Sequence, residues 1–296
     1  MRRARLILPL LAVLPGCIEA APETADEPPT DSLSGEMPDV APARYLTQFM
    51  FAGVDGTAFF GSFGQVTDER SLVRMYDAWR ADDQGWTSLL TIRDTLPVPR
   101  AAWRILPGPG FDVRVGDARE VMGLGFAAPD GRVELLPGDE VAVWTGPTGQ
   151  RESVGVAGLV VSGDAVGGLL FFRRAARALQ FPSSAPGSRG FLLADSVGNG
   201  LLIEIEDDSG SAIAHTWLYG SVDAWNDVVF TPDSTGSAGP ARRWRFEIPG
   251  AELSGTIRAI ASPADQPVPA FRVECDLIAD GDVFRFTGLA ARLELP

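Results

Sequence analysis

From residue 45 onward the chain runs in short apolar stretches, many of them alternating with polar residues, and turn residues separate them. Tyr45 to Ala52 and Thr57 to Phe63 flank Val54-Asp55-Gly56. Phe191 to Ala194 and Leu201 to Glu206 flank Gly198-Asn199-Gly200 in the same way. Both patterns predict tight hairpins, because Asp-Gly and Asn-Gly supply the positive backbone angles such turns need. Further turns fall at Pro129-Asp130-Gly131, Pro137-Gly138-Asp139, Asp207-Asp208-Ser209-Gly210 and Asp280-Gly281-Asp282. Strands are predicted over 111–115, 132–136, 141–145, 154–161, 167–172, 243–248, 253–260, 270–277 and 283–288. Two stretches have helical spacing instead. Asp68 to Arg80 places Leu72, Val73, Tyr76 and Trp79 on one face, and Arg173 to Leu179 forms a short connecting helix. Many short strands with regular turns predict an all-β fold of barrels or sandwiches.

Three landmarks recur in the same order. The hairpin turn at Asp55-Gly56 recurs at Asn199-Gly200, and Asp77-Ala78-Trp79 recurs as Asp223-Ala224-Trp225. Trp103-Arg104-Ile105-Leu106-Pro107-Gly108 recurs as Trp244-Arg245-Phe246-Glu247-Ile248-Pro249-Gly250. The repetition predicts a duplicated domain. Its boundary falls at the linker-like Phe181-Pro182-Ser183-Ser184-Ala185-Pro186-Gly187, which gives domains at 45–180 and 181–296.

The N-terminus reads as an address. Arg2, Arg3 and Arg5 precede an apolar run from Leu6 to Leu14, too short to span a bilayer as a mature helix. Leu14-Pro15-Gly16-Cys17 resembles the lipobox of bacterial lipoproteins. The resemblance implies that residues 1–16 are a signal peptide and that Cys17 is acylated after cleavage. The protein would then be held to a lipid membrane by its acyl chains, which need no transmembrane helix. Ile18 rather than Asp follows the cysteine, which implies the outer membrane, facing the periplasm. Residues 17–44 are acidic and rich in Pro and Ala, a composition that buries no core and serves as a tether.

Charge and missing residue types narrow the chemistry. The formal net charge is −14, and removing the signal makes the chain more acidic still. Nucleic-acid binding needs a basic face and is excluded on that ground. Every basic side chain is Arg; lysine is absent, which removes Schiff-base chemistry. The single histidine is His215, and Cys275 is the one cysteine besides Cys17. One of each cannot build a Cys/His zinc site. Asp82-Asp83 and Asp207-Asp208 lack EF-hand spacing and read as turns, so neither a metal nor a cofactor is predicted. Cys275 alternates with Val273 and Leu277 and is expected to be a buried thiol.

Strand alternation puts Ile213, His215 and Trp217 on one face, expected to point into a barrel. Asp223 and Asp227 are the nearest candidate acids in sequence, and Glu204 or Glu206 are others, although these two share a face, which more often means a solvated strand face. The seven tryptophans at 79, 86, 103, 144, 217, 225 and 244 are expected mainly at barrel ends and inner walls.

His215-Thr216-Trp217, Asp223-Ala224-Trp225 and Arg243-Trp244-Arg245-Phe246-Glu247-Ile248-Pro249 resemble elements of the lipocalin-like double-barrel proteins, which include carotenoid 1,2-hydratases and AttH-type proteins. So does the closing Thr287 to Leu295. The resemblance implies two tandem antiparallel barrels. The first expectation for function is a lipoprotein that binds a hydrophobic small molecule, a lipid or isoprenoid, in a barrel cavity lined by Trp217, Trp225, Tyr219 and Trp244. The alternative is a hydratase- or isomerase-like enzyme in which His215 works with Asp223 or Asp227 as the acid. A non-catalytic envelope scaffold is the third.

Overall fold

The computed structural model describes residues 43–68, 70–97, 99, 104–116, 120–146, 149–178, 187–207, 209–218, 221–233, 243–261 and 270–293, without the side chains of 178 and 261. Cys17, the tether, Trp103 and Tyr219 lie outside the described residues.

Alternating burial builds strands throughout. The first nine are β1 (Ala43–Gly53), β2 (Ala58–Thr67), β3 (Ser71–Asp82), β4 (Gly85–Pro97), β5 (Phe111–Val115), β6 (Val121–Ala128), β7 (Gly131–Thr145), β8 (Arg151–Val161) and β9 (Asp164–Ala178). The next nine are β10 (Ser188–Ala194), β11 (Gly200–Glu206), β12 (Ala212–Leu218), β13 (Ser221–Trp225), β14 (Val229–Pro232), β15 (Arg243–Ile248), β16 (Leu253–Ala261), β17 (Ala270–Ala279) and β18 (Asp282–Leu293). They form two nine-stranded antiparallel sheets. The first has the order β4-β3-β2-β1-β9-β8-β7-β6-β5 and the second β13-β12-β11-β10-β18-β17-β16-β15-β14. The first curls into a nearly closed barrel and the second into a half-barrel.

The two orders are the same when strands are counted from the start of each sheet, which is the structural mark of a duplication. Only one sequence landmark coincides with it. The turns holding Gly56 (φ 86°) and Gly198 (φ 90°) join the first and second strands of their sheets. Asp77-Ala78-Trp79, however, lies on a third strand and Asp223-Ala224-Trp225 on a fourth. Arg104 to Gly108 precedes a fifth strand, whereas Trp244 to Ile248 forms a sixth. Register gives the true counterparts. Ala52 pairs with Ala58 and Ala194 with Gly200; two residues further on, Phe60 faces Trp79 and Leu202 faces His215. Trp79 and His215 thus hold equivalent places.

Both predicted helices are strands. Leu72 and Tyr76 are four apart, a spacing that fits either period. In β3 the buried face is Leu72, Arg74, Tyr76, Ala78 and Arg80. Arg74 breaks the apolar alternation in sequence, yet it is buried because Asp94 pairs with it at 2.5 Å. In the same way β9 runs unbroken through Arg173 to Ala178.

Three apolar clusters follow. One fills the first barrel with mutually packed rings, among them Phe49, Phe63, Tyr76, Phe111 and Phe126. Another covers the inner face of the half-barrel. The third lies between the sheets, where Met50, Phe60 and Phe171 meet Leu192, Leu202 and Leu289. Gly200 is needed at this seam, since a Cβ there would lie 2.0 Å from Leu169 Cδ1. Arg272 on β17 clamps it from the side. Its guanidinium donates to Gly56 O (3.0 Å), Asp82 O (2.7 Å) and Asp83 Oδ1 (3.0 Å) in two turns of the first sheet. Arg272→Ala is expected to cost about 2 kcal/mol, read as a lower urea midpoint, because two partly buried carbonyl partners lose a charged donor. An unchanged midpoint would show the clamp to be idle.

Candidate functional site

The first sheet presents a polar row to the seam. Gln48 on β1, Arg173 on β9, Glu152 on β8 and Trp144 on β7 are successive cross-strand partners. Their register points all four side chains to one face. Glu152 is fully buried and takes three donors: Trp144 Nε1 (2.6 Å), Gln150 Nε2 (2.9 Å) and Arg173 Nε (2.6 Å). Three converging donors are what an ionised carboxylate requires away from water.

The second sheet supplies the opposing groups. Arg173 Nη1 donates to Ser188 Oγ of β10 at 3.0 Å, and Nη2 reaches Glu204 Oε2 of β11 at 3.4 Å. Glu204 is buried, and its Oε1 has no hydrogen-bond partner. Burial pushes its carboxyl up to about 8, the neighbouring Glu152 adds to the shift, and Arg173 opposes it. At neutral pH Glu204 therefore carries a proton that it can give away. It lines a cavity of about 40 Å³ with Arg173, Ser188, Glu206, Ser211 and Ile213. That space has room for a water molecule.

His215 on β12 is the diagonal neighbour of Glu204, since it pairs with Leu202. Such neighbours lie about 7–8 Å apart along the sheet, within reach of long side chains. The imidazole stacks on Trp144 of the first sheet, centroids 3.9 Å apart, and lies 6.4 Å from the Trp217 ring. Burial lowers its pKa, with Glu152 pulling the other way, so it is held neutral and able to accept a proton.

The expected barrel-lining face is thus a seam-lining face. Ala214, not His215, points into the half-barrel core, while Trp217 joins the cluster between the sheets. Of the described tryptophans, Trp79, Trp86, Trp144 and Trp217 pack at the seam rather than on inner walls. Trp225 and Trp244 lie on the other side of the second sheet. Trp225 Nε1 donates to Thr216 Oγ1 at 3.1 Å, and Trp244 packs edge-on against Phe191 at 5.2 Å. They do not meet His215.

Neither sequence-nominated aspartate meets it either. Asp223 is exposed, pairs with Thr216 on the face opposite His215, and accepts from Ser221 Oγ at 2.9 Å. Asp227 accepts the Gly250 N–H at 2.8 Å and pins a turn. Glu204 takes their place, buried rather than solvated. Glu152 and Arg173 escaped the sequence reading, although Glu152-x-Val154 and Phe171-x-Arg173 carry the polar–apolar alternation of one strand face. Cys275 is buried as expected. Among the described residues no group of three or more His, Cys, Asp or Glu is placed to hold a metal.

Two sheets of this shared strand order, joined by one seam, define the lipocalin-like double-barrel fold. Kievitone hydratase from Nectria haematococca has it: the structures superpose with a TM-score of 0.52 at 10% identity, over 86% of this chain and 90% of that one. A protein provisionally assigned as AttH from Nitrosomonas europaea superposes with a TM-score of 0.50 at 14% identity, over 92% and 98%. At these identities the likeness is one of fold. No family model matches the chain, and no curated protein matches it in sequence.

Proposed function

We propose that this chain is a hydratase- or isomerase-type enzyme acting on a carbon–carbon double bond in an apolar molecule, with its site at the seam between the sheets. The carrying observation is Glu204, a buried carboxyl raised to about 8 whose Oε1 is unpartnered, lining a space with room for water. In the forward direction Glu204 gives its proton to one alkene carbon. Water adds to the cationic carbon that results, and His215 takes the proton the water loses. Return of that proton to Glu204 through water closes the cycle, so the net change is one water added. The ring face of Trp217 suits the cationic stage. The fold it shares with a hydratase agrees with this reading, though the residues carry it.

The test offers isoprenoid alkenes to the full chain in ¹⁸O-labelled water, with mass spectrometry of the products. The wild type is expected to form an alcohol carrying one labelled oxygen. Glu204→Gln, which keeps the shape but has no acidic proton, is expected to lose about 100-fold or more in rate. Equal rates would remove Glu204 from the mechanism, and unchanged turnover in His215→Ala would remove His215.

The location is a proposal of its own. The lipobox-like Leu14-Pro15-Gly16-Cys17 supports acylation of Cys17 and attachment at the bacterial outer membrane, facing the periplasm. Cys17→Ser is expected to move the protein from the membrane to the soluble fraction and to abolish labelling by palmitate. Retention of the variant in the membrane fraction would show that something else holds it.

A further inference from the structure

The outer face of the first sheet continues past the seam to the end where β1 begins. Arg44, Leu46 and Gln48 alternate along β1 and point the same way, so this face extends the one that carries the polar row. Register lays two further rows across it. Val73, Val66, Arg44 and Arg177 are successive partners on β3, β2, β1 and β9. Met75, Gly64, Leu46 and Ala175 form the row between these and Gln48. Neither row holds a carboxylate. Val73 and Met75 are 38% and 42% exposed, and Arg44 and Arg177 are half-buried. The Nε of Arg44 is shielded from water, so its aliphatic stem lies along the apolar surface. At this end Asp68 accepts the N–H groups of Arg70 and Ser71 within its own turn, and Asp94 pairs with Arg74 on the inner face. Asp55, Asp82, Asp83, Asp130 and Asp164 lie at the opposite end of the strands. Along β1 that is roughly 30 Å away, several times the screening length of about 8 Å in physiological salt. The formal net charge of −14 is therefore not what this face presents.

We propose that this face is a membrane-docking surface whose partner is a bilayer containing anionic phospholipid. Charge and apolar character select that partner together. Arg44 and Arg177 stand directly across a strand pair, where like charges repel, and lipid phosphates between them relieve the repulsion. A guanidinium fork matches a phosphate through two parallel hydrogen bonds. Val73 and Met75, exposed in the same two rows, supply the apolar surface that enters the boundary between head groups and acyl chains. A small soluble anion would leave these two side chains unused. The path of the chain agrees. It enters β1 at Ala43, beside Arg44, and residues 18–42 connect that point to Cys17. Acylation of Cys17, as proposed above, would bring this end to the bilayer, and a tether lets weak docking persist by raising the effective concentration of the two surfaces. The docking face shares no residue with the proposed reaction, and its test needs no acyl chain.

Co-sedimentation with vesicles tests the face on residues 17–296 carrying Cys17→Ser. This chain keeps every described residue and lacks both the acyl chains and the apolar run from Leu6 to Leu14. Vesicles of phosphatidylcholine alone are compared with vesicles of equimolar phosphatidylcholine and phosphatidylglycerol. Binding to the anionic vesicles is expected to be at least about tenfold tighter and to weaken as salt is raised. Arg44→Gln combined with Arg177→Gln is expected to weaken it at least about tenfold, since each arginine near such a surface contributes about fivefold. Val73→Glu sets a negative charge at an exposed position facing the lipid phosphates, and is expected to weaken binding at least about tenfold as well. Val197→Glu, at an 81% exposed position in the turn between β10 and β11, is expected to bind as the unsubstituted chain does. Absence of binding to the anionic vesicles, equal binding to both kinds, unchanged affinity in the double arginine variant or in Val73→Glu, or an equal loss in Val197→Glu would each overturn the proposal. Should the double arginine variant fail to fold, Val73→Glu decides.

Discussion

Arg173→Ala is expected to cost about 3–5 kcal/mol of folding stability, the largest loss of any single seam substitution considered. Arg173, Glu152 and Glu204 are all almost wholly shielded from water, with side-chain exposures of 3%, 0% and 5%. Their worth therefore lies in being complete. Without the guanidinium, Glu152 keeps Trp144 and Gln150 as donors but loses its opposite charge, and Ser188 and Glu204 lose the group that ties the second sheet to the first. An unpaired charge in such a place costs far more than an exposed ion pair ever returns, about 0–1 kcal/mol. Urea unfolding measures the effect as a lower midpoint at unchanged slope. Replacing Arg173 and Glu152 together by Met is expected to recover part of the loss, because no buried charge is then left without its opposite, although Trp144, Gln150, Ser188 and Glu204 still lose their partners. A loss below about 1 kcal/mol in Arg173→Ala would mean that water reaches the cluster. A double variant as unstable as the single one would mean that shape, not charge, accounts for the cost.

The same cluster shows which parts of the molecule are legible from sequence. Strands and turns are local: Asp55-Gly56 and Asn199-Gly200 sit between alternating runs, and β5 and β15 match their predicted limits. What failed was alternation broken by a buried arginine. Arg74 in β3 and Arg173 in β9 look polar, so both strands took on a helical appearance. Each is buried only because a carboxylate waits on another strand, Asp94 for one and Glu152 for the other. That pairing cannot be seen in either segment alone. The site failed to show for a related reason. Sequence proximity nominated Asp223 and Asp227, eight and twelve residues from His215. The acid that stands beside His215 is Glu204, brought there by the register of β11 on β12. The aromatic partner, Trp144, comes from the other sheet altogether. Alternation correctly grouped Ile213, His215 and Trp217 on a face. It could not say which side of the sheet is the barrel's, because the seam buries the outer face as thoroughly as the core buries the inner one.

Glu204→Gln is expected to remove a fall in stability that the wild type shows as pH rises from about 4.5 to about 8. The carboxyl ordinarily titrates near 4.5, and in the folded chain burial and then the Glu152 charge carry it up to about 8. Between those values the folded state holds a proton that the unfolded chain has already released. The contribution is fully present below 4.5, declines by up to about 1.4 kcal/mol per pH unit through the window, and is gone above 8. Glutamine has no proton to lose, so the variant gains on the wild type steadily across that range, and the gap stops growing above 8. Urea midpoints taken at a series of pH values read this directly, and the difference between the two curves cancels groups common to both. Parallel curves would show that Glu204 titrates at its ordinary value, and the proton donor of the proposed reaction would go with it. The activity profile supplies the second half of the argument. A donor that must be protonated predicts a rate that falls as pH rises through the same value near 8. One carboxyl then has to account for two independent measurements, a stability slope and an alkaline limb of catalysis. A limb that falls elsewhere would assign the proton to another group even if the stability slope were found.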